Sequence, residues 1–445
     1  MAGKNNIGRR QFLKAAGTAV GATGFGYVVP SPALGAAGNV AASNRIVMGC
    51  IGMGGQGTGN MRGFMGESEV QVIAVCDVVE SRCQESKDIV DRHYGDKGCA
   101  GYNDFRDVLA RKDIDAVMIA PQDHWHALIA VAAARAGKDI YCEKPLGVAV
   151  REGQAIRDAV RRYGRVFQTG MQQRSDRKFR FACELARNGY LGDIHTVKVA
   201  APGPKYKRTY SEPPTAEPIP AGLDYNMYIG PAPMKPYNAG RHAWPDWYLI
   251  WDYCAGFIVN WGVHHLDIAN WGCPAVTGPP LRSRINSPFE LECKASYRSD
   301  GLTDNINDWQ AEFSYAGGLR MTFTDSDNPN KQGCQFEGNA GWVHVNRAGI
   351  SAEPASLLKV KIKPDEIHLY ESREHRADFL NCVRTRSDPV APVEAGHKAS
   401  YLGMIADIAA RLNRKVEWDP AAERFVDDDQ ANRMLSRPMR SPWHL

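Results

Sequence analysis

The chain has 445 residues, with 54 Lys and Arg against 50 Asp and Glu. Four of the basic residues (Lys4, Arg9, Arg10 and Lys14) and no acid fall in residues 1–38. The remainder carries 50 of each sign, which excludes an electrostatic footprint for nucleic acid or an anionic membrane. A composition 44% hydrophobic and 23% charged describes a globular chain, with about 400 residues after the N-terminus, enough for two domains.

The first element is Gly8-Arg9-Arg10-Gln11-Phe12-Leu13-Lys14. It resembles a twin-arginine export signal, with Gly8 where Ser or Thr is usual. Residues 15–29 form a weakly apolar, Gly- and Ala-rich stretch. Small residues around Ala33-Leu34-Gly35 and Ala36-Ala37 offer a cleavage point. The stretch is too short and too glycine-rich to span a membrane. Residues 1–38 are therefore expected to be signal and linker, with the twin-arginine export machinery as a partner and a periplasmic mature protein. Val47-Met48-Gly49-Cys50 imitates a lipoprotein cleavage box but reads better as a buried strand. The 11 cysteines contain no CxxC pair and read as small apolar core residues.

Residues 45–51 are a short apolar run ending at Gly52-Met53-Gly54-Gly55-Gln56-Gly57. Residues 58–66 can form a helix, and residues 70–76 a second strand ending at Asp77. Gly52 permits the tight turn, Gly54 lets backbone approach a pyrophosphate, and Gly57 lets the helix pack on the strand. Asp77, 20 residues after Gly57, stands where an acid accepts ribose hydroxyls. It would repel a 2′-phosphate, so NAD is the expected cofactor; nearby Arg82 keeps NADP as a weaker candidate. Further strands at 115–120, 139–142 and 165–169 alternate with helices at 124–136 and 150–163. That alternation predicts a parallel, doubly wound sheet over residues 44–169, with ligands beyond the carboxyl ends of its strands. Pro121-Gln122-Asp123-His124 and Cys142-Glu143-Lys144-Pro145 then face the cofactor crevice.

Glu143-Lys144-Pro145 after such a strand, with the glycine loop and Asp77, resembles the glucose–fructose oxidoreductase and inositol dehydrogenase (Gfo/Idh/MocA) family. The resemblance continues through Gly256-Phe257-Ile258-Val259-Asn260-Trp261-Gly262-Val263-His264-His265-Leu266-Asp267. It extends to Arg376-Ala377-Asp378-Phe379-Leu380 and Pro392-Val393-Glu394-Ala395-Gly396-His397. It implies a Rossmann domain followed, over residues 170–445, by an α/β domain with an open, mostly antiparallel sheet. It also implies a homo-oligomer, dimer or tetramer. Residues 194–200, 309–323 and 333–345 are β-rich, and residues 400–412 read as a closing helix. Residues 202–245 are rich in Pro and Tyr with little periodicity, as a functional or subunit-contact arm would be.

Oxidation of a sugar hydroxyl needs a base for the proton and a positive group for the developing alkoxide. The resemblance implies Lys144 for the second role, near both nicotinamide and substrate, and His264 for the first. Asn260 departs from the family pattern, where Asp is common; an amide can orient a neighbour but not ionise. The expected catalytic set is Lys144, His264 and Asn260. The expected cofactor set is Gly52, Gly54, Gly57, Asp77, Gln122, His124, Glu143 and Lys144. Substrate is expected at Lys144, Gln173, Arg174, Trp251, His264 and His265, with Asp267 as a second anchor for the imidazole. Tyr237, Arg241, His242, Trp244 and Trp247 add an aromatic-rich run ahead of the histidine motif. No metal is expected, because His124-Trp125-His126 and His264-His265-x-x-Asp267 lack strong ligand spacing.

Export and a dinucleotide conflict, because no free cofactor pool exists outside the cytoplasm. The leading expectation is thus an exported NAD-dependent oxidoreductase of a carbohydrate or polyol hydroxyl, with tightly bound, internally recycled cofactor. Two alternatives stand beside it. One is a redox-neutral glycosidase or lyase working through a 3-keto sugar. The other is a non-catalytic relative that binds sugar and retains nucleotide.

Overall fold

In the computed structural model, residues 44–204, 215–278, 287–298 and 301–445 are described. The twin arginines and the small-residue cleavage positions lie outside them. Six parallel strands form the first sheet, in the order β3-β2-β1-β4-β5-β6. They are β1 (Ile46–Ile51), β2 (Val70–Cys76), β3 (Ala100–Tyr102), β4 (Ala116–Ile119), β5 (Asp139–Cys142) and β6 (Phe167–Thr169). Every residue of β4, β5 and β6 is buried, as expected of parallel strands covered on both faces by helices. Cys50 is fully buried in β1, so the apparent lipoprotein box is core strand.

Five helices connect these strands: α1 (Gly55–Met65), α2 (Glu80–Tyr94), α3 (Phe105–Ala110), α4 (Asp123–Arg135) and α5 (Val150–Arg162). α1 starts at Gly55, three residues earlier than its apolar pattern suggests, because the glycines themselves enter the first turn. The order reverses between β1 and β4, so the crevice above their carboxyl ends is the expected ligand site.

After α6 (Arg177–Arg187) comes a nine-stranded sheet ordered β13-β12-β11-β7-β10-β9-β8-β14-β15, with β13 at Ile350–Glu353, β14 at Val416–Asp419 and β15 at Arg424–Phe425. Its central pair, β7 (Ile194–Ala201) and β10 (Arg320–Asp325), is parallel. The other pairings are antiparallel, as in β8 (Phe289–Tyr297) with β9 (Ile306–Ser314) and β11 (Gly333–Gly338) with β12 (Gly341–Val345). β8 alternates buried and exposed residues, so one face packs on the core and the other is open. The β-rich run at 309–323 resolves into β9 and β10 joined by a turn at Gly317 and Gly318.

The 202–245 stretch is not structureless throughout. It holds α7 (Tyr225–Ile229) and α8 (Ala239–His242), and residues 205–214 fall outside the described set. The histidine motif splits into α9 (Phe257–Asn260) and α10 (Gly262–Gly272). The chain closes with α11 (His375–Thr385), α12 (Val393–Leu412) and α13 (Asp429–Arg433). α11 returns to the first sheet: Phe379, Leu380 and Cys382 share a core with Met48, Phe64 and Tyr141. α12 packs on α5, α9 and α10, so one helix braces elements of both halves. Both sheets lie in one compact unit, Ile46–Leu445. All 11 cysteines are free, and only Cys83 is not buried.

Candidate active site

A cavity of about 860 Å³ runs from the glycine loop and Asp77 to Lys144 and Tyr248. At the loop end Gly52 has φ +84°, and a Cβ there would strike the Pro121 backbone. A Cβ on Gly57 would collide with the Gly52 carbonyl, so the helix can approach the strand only with glycine. At Gly54 and Gly55, by contrast, a Cβ would meet nothing within 4 Å. The space over them opens on the N-terminus of α1, whose first turn holds no acid. Free amide donors and the helix dipole suit a pyrophosphate there.

Asp77 is buried at the end of β2. Its Oδ2 accepts from Met53 N at 2.7 Å and its Oδ1 from Val79 N at 2.8 Å. Burial raises its pKa, while these amides and the Arg82 charge oppose the rise. The carboxylate thus fixes the glycine loop and keeps lone pairs for ribose hydroxyls. Gln122 lines the same cavity. Glu143 lines it too, but its Oε1 is held by Asn60 Nδ2 at 2.8 Å and Gln56 Nε2 at 3.2 Å. It ties the end of β5 to α1. The open loop, the acid-free helix start and the strand-end carboxylate together fit a dinucleotide.

At the other end stands Lys144. Its Nζ donates to Asn260 Oδ1 at 2.7 Å and to the Asn260 carbonyl at 3.1 Å. Burial lowers the Lys144 pKa; Glu143 and Asp123 act against that. The Asn260 amide in turn donates to Asp123, with Nδ2 at 3.1 Å from Oδ1 and 3.0 Å from Oδ2. The Cys254 thiol donates to Asp123 Oδ2 at 3.1 Å. Tyr248 lines the cavity together with Lys144. Trp244 and Trp247 continue this wall as an aromatic run with Tyr248.

His264, on α10, is buried with Nδ1 lacking a partner among the described residues. Burial first, then the charges of Lys144 and Arg347, push its pKa well below the ordinary histidine value. It is a neutral imidazole with a free ring nitrogen.

Other expected site residues serve elsewhere. His124 does not line the cavity: its Nδ1 faces the Tyr253 carbonyl and its Nε2 the Tyr228 carbonyl, both at 3.2 Å. It joins α4 to the segment before the histidine motif. Arg174 is consumed by Asp267 in a buried fork, with Nε at 2.8 Å from Oδ2 and Nη2 at 2.7 Å from Oδ1. Its Nη1 donates to the Val390 carbonyl. Asp267 therefore anchors Arg174 and not an imidazole, and neither is left for a sugar. Trp251 lies in a separate cavity of about 320 Å³, with the Arg437 guanidinium 3.5 Å and the Arg411 guanidinium 4.6 Å from its ring. Two guanidinium groups pack on it, and it lies outside the cavity that holds Lys144. His265 is buried with its pKa pushed down to about 3 by burial and then by Arg347. Its Nδ1 lies 3.5 Å from Gln173 Nε2, and the Gln173 Oε1 is buried without a partner among the described residues. His242 packs on Tyr228 and Tyr237, and neither His242 nor Tyr237 lines this cavity. No cluster of three metal-ligating side chains occurs among the described residues.

Asp123 and Tyr248 were missed as site residues. Asp123 sits inside the flagged strand-end tetrapeptide, but nothing in the sequence couples position 123 to position 260. Tyr248 was one aromatic among many.

A family profile described as an oxidoreductase family NAD-binding Rossmann fold matches residues 46–171. Its companion, the C-terminal alpha/beta domain of the same family, matches residues 183–445. The chain belongs to the Gfo/Idh/MocA oxidoreductase family. It is an NAD-binding member, by the loop geometry and the matched Rossmann fold.

Inositol 2-dehydrogenase of Salmonella typhimurium is 34% identical over 146 residues, covering 32% of this chain and 42% of that protein. A glycosyl hydrolase family 109 protein of Shewanella baltica is 28% identical over 205 residues, covering 43% and 45%. The chain thus spans under half the length of these curated relatives. Among solved structures, scyllo-inositol dehydrogenase from Lactobacillus casei with bound NAD(H) and scyllo-inositol superposes with a TM-score of 0.56 at 16% identity. It covers 84% of this chain and 99% of that one. At that identity the likeness concerns the fold.

Proposed function

We propose that this enzyme oxidises a hydroxyl of a carbohydrate or polyol, using NAD held within the protein and regenerated in the same site. One observation carries the reading. A single cavity joins the glycine loop and Asp77 to Lys144 and Tyr248, so one space takes both dinucleotide and substrate. The inositol dehydrogenase likeness supports a polyhydroxylated ring as substrate.

When bound, the nicotinamide supplies the hydride acceptor. The rest falls to this chain's side chains. Lys144 has three N–H groups, and Asn260 takes two of them, leaving one for a substrate oxygen. As a fixed ammonium in a buried site, it stabilises negative charge growing on that oxygen. His264 is assigned the hydroxyl proton: it lies outside the cavity lining, close enough to Lys144 to feel its charge, and its buried Nδ1 has no hydrogen bond to give up. Tyr248 walls the substrate end with Trp244 and Trp247.

The proposal also places the mature protein in the periplasm, on the strength of Arg9-Arg10 and the stretch after them. Retained cofactor follows from that location. A second reading, redox-neutral glycoside cleavage through a keto intermediate, is favoured by the family 109 likeness. Oxidation would acidify the neighbouring carbon, elimination would break the glycosidic bond, and hydride would return.

The deciding experiment purifies the protein without added cofactor, denatures it and identifies any nucleotide released. Sugars, polyols and glycosides are then tested with the untreated protein in deuterated water. NAD in the supernatant and product without added NAD support the proposal. Solvent deuterium beside the oxidised carbon selects the cleavage reading. An empty protein that consumes NAD stoichiometrically contradicts retention.

A further inference from the structure

We propose that Asp123 is a positioning residue for Lys144, supplying through the Asn260 amide the negative charge that position 260 itself lacks. The inference rests on Lys144 acting as proposed above, and it concerns how that ammonium is held.

The three side chains form an alternating line. Lys144 donates to Asn260 Oδ1 at 2.7 Å, and Asn260 Nδ2 donates to both Asp123 oxygens at 3.1 and 3.0 Å. An ammonium only donates and a carboxylate only accepts, so the amide between them has one orientation. Turning it over would face NH₂ to NH₃⁺ and oxygen to carboxylate. Its direction is thus fixed by chemistry, and the line is an ion pair with one neutral amide inserted.

Asp123 is suited to remain charged there. It is 2% exposed and is the first residue of α4, where the helix dipole favours an anion. It accepts from Asn260 and from the Cys254 thiol, and no Lys or Arg among the described residues pairs with it directly. A buried carboxylate satisfied by an amide, a thiol and a helix end, one bond behind an active-site cation, is costly unless its charge serves that cation. The groups facing the line from neighbouring elements are Glu143, Cys142, Cys254, Tyr248, His124, Glu152, His264 and Arg347. Of the two other carboxyls, Glu143 is already held by Gln56 and Asn60, and Glu152 accepts from Val148 N, with burial raising its pKa to about 7.

This chain thus carries a carboxylate one hydrogen bond behind position 260. In this chain a carboxylate at 260 would sit about 3 Å from Asp123, a pair that could hold only one negative charge at neutral pH. The charge must be at 123 or at 260.

The test exchanges the two. Asp123→Asn keeps shape and removes charge; adding Asn260→Asp returns the charge beside Lys144. Asp123→Asn should cut kcat/KM about tenfold or more, with NAD still retained, and should move the upper limb of its pH profile to lower pH. The limb moves down because the protonated ammonium is the working form and loses its counter-charge. The double variant should recover most of the loss.

A second readout needs no substrate. In protein carrying ¹³C-lysine, the Lys144 resonance, assigned by its loss in Lys144→Ala, should titrate about one pH unit lower in Asp123→Asn and return in the double variant. An unchanged profile and titration in Asp123→Asn would overturn the inference, as would a double variant no better than the single. If Asp123→Asn does not fold, the double variant decides: a Lys144 titrating as in wild type supports the inference, and one clearly lower overturns it. Failure of the wild type to oxidise any sugar would sink the functional proposal, while the lysine titration would still judge this one.

Discussion

At the glycine-loop end of the cavity the recognising groups are mostly backbone: the open turn at Gly54, the amides starting α1, and Met53 N fixed on Asp77. At the Lys144 end they are side chains from separated segments, with Lys144 after β5, Asp123 on α4 and Tyr248 ahead of the histidine motif, while Asn260, within that motif, holds Lys144 from behind. Backbone recognition is written in a contiguous stretch and constrains residue type tightly. Side-chain recognition is assembled from distant positions, each replaceable when a neighbour takes over its charge.

The largest expected effect lies beyond both ends, in the Arg174–Asp267 fork. Breaking one side of a buried, doubly hydrogen-bonded pair typically costs about 3–5 kcal/mol. Arg174→Met should thus lower the melting temperature sharply, yet leave KM for the sugar unchanged in protein that still folds. A raised KM with intact stability would restore Arg174 to the substrate site.

Lys144→Ala should reduce kcat roughly a hundredfold or more without releasing nucleotide, because the loop end holds the cofactor by itself. Loss of nucleotide from this variant would erase the division between the two ends. Tyr248→Phe keeps the ring and removes only a hydroxyl at the Lys144 end of the cavity, and a loss of about tenfold in kcat is expected. Near-normal turnover would leave Tyr248 as a wall.

The smallest effect is at the loop end. Asp77→Ser should narrow the preference for NAD over NADP by about tenfold, read as the ratio of the two kcat/KM values. A wild type already preferring NADP would contradict the role given to Asp77. In the pH profile, His264 is held neutral by burial and by Lys144 and Arg347. Its protonation should appear as a lower limb well below the ordinary histidine range, with activity flat from there through neutral pH.

The first half was legible because its signals are local. Strand, glycine turn, helix and acid occur in order within some thirty residues, and parallel strands show as apolar runs. The start of α1 was misplaced because glycine is a poor helix former, and here it is required by close approach. α12 begins at Val393, well before the apolar run at residue 400, because it is buried along nearly its whole length and shows no clean stripe. At the substrate end, the partners of the expected residues were not legible. His124, Arg174 and Trp251 are chemically able to bind ligand, yet backbone carbonyls, Asp267 and two guanidinium groups already occupy them. Asn260 looked like the neighbour of a histidine and proved to be the neighbour of a lysine. Pairings across more than a hundred residues leave no periodic trace.

The most direct test of a sugar-oxidising site with its own NAD is a single-turnover experiment on protein purified without added nucleotide. Candidate polyols and sugars are mixed with it, and the near-ultraviolet absorbance of reduced nicotinamide is followed. A rise with no added NAD, reversed by a keto sugar and absent in Lys144→Ala, is the predicted result. Protein that releases no NAD on denaturation and shows no rise with any sugar would contradict it.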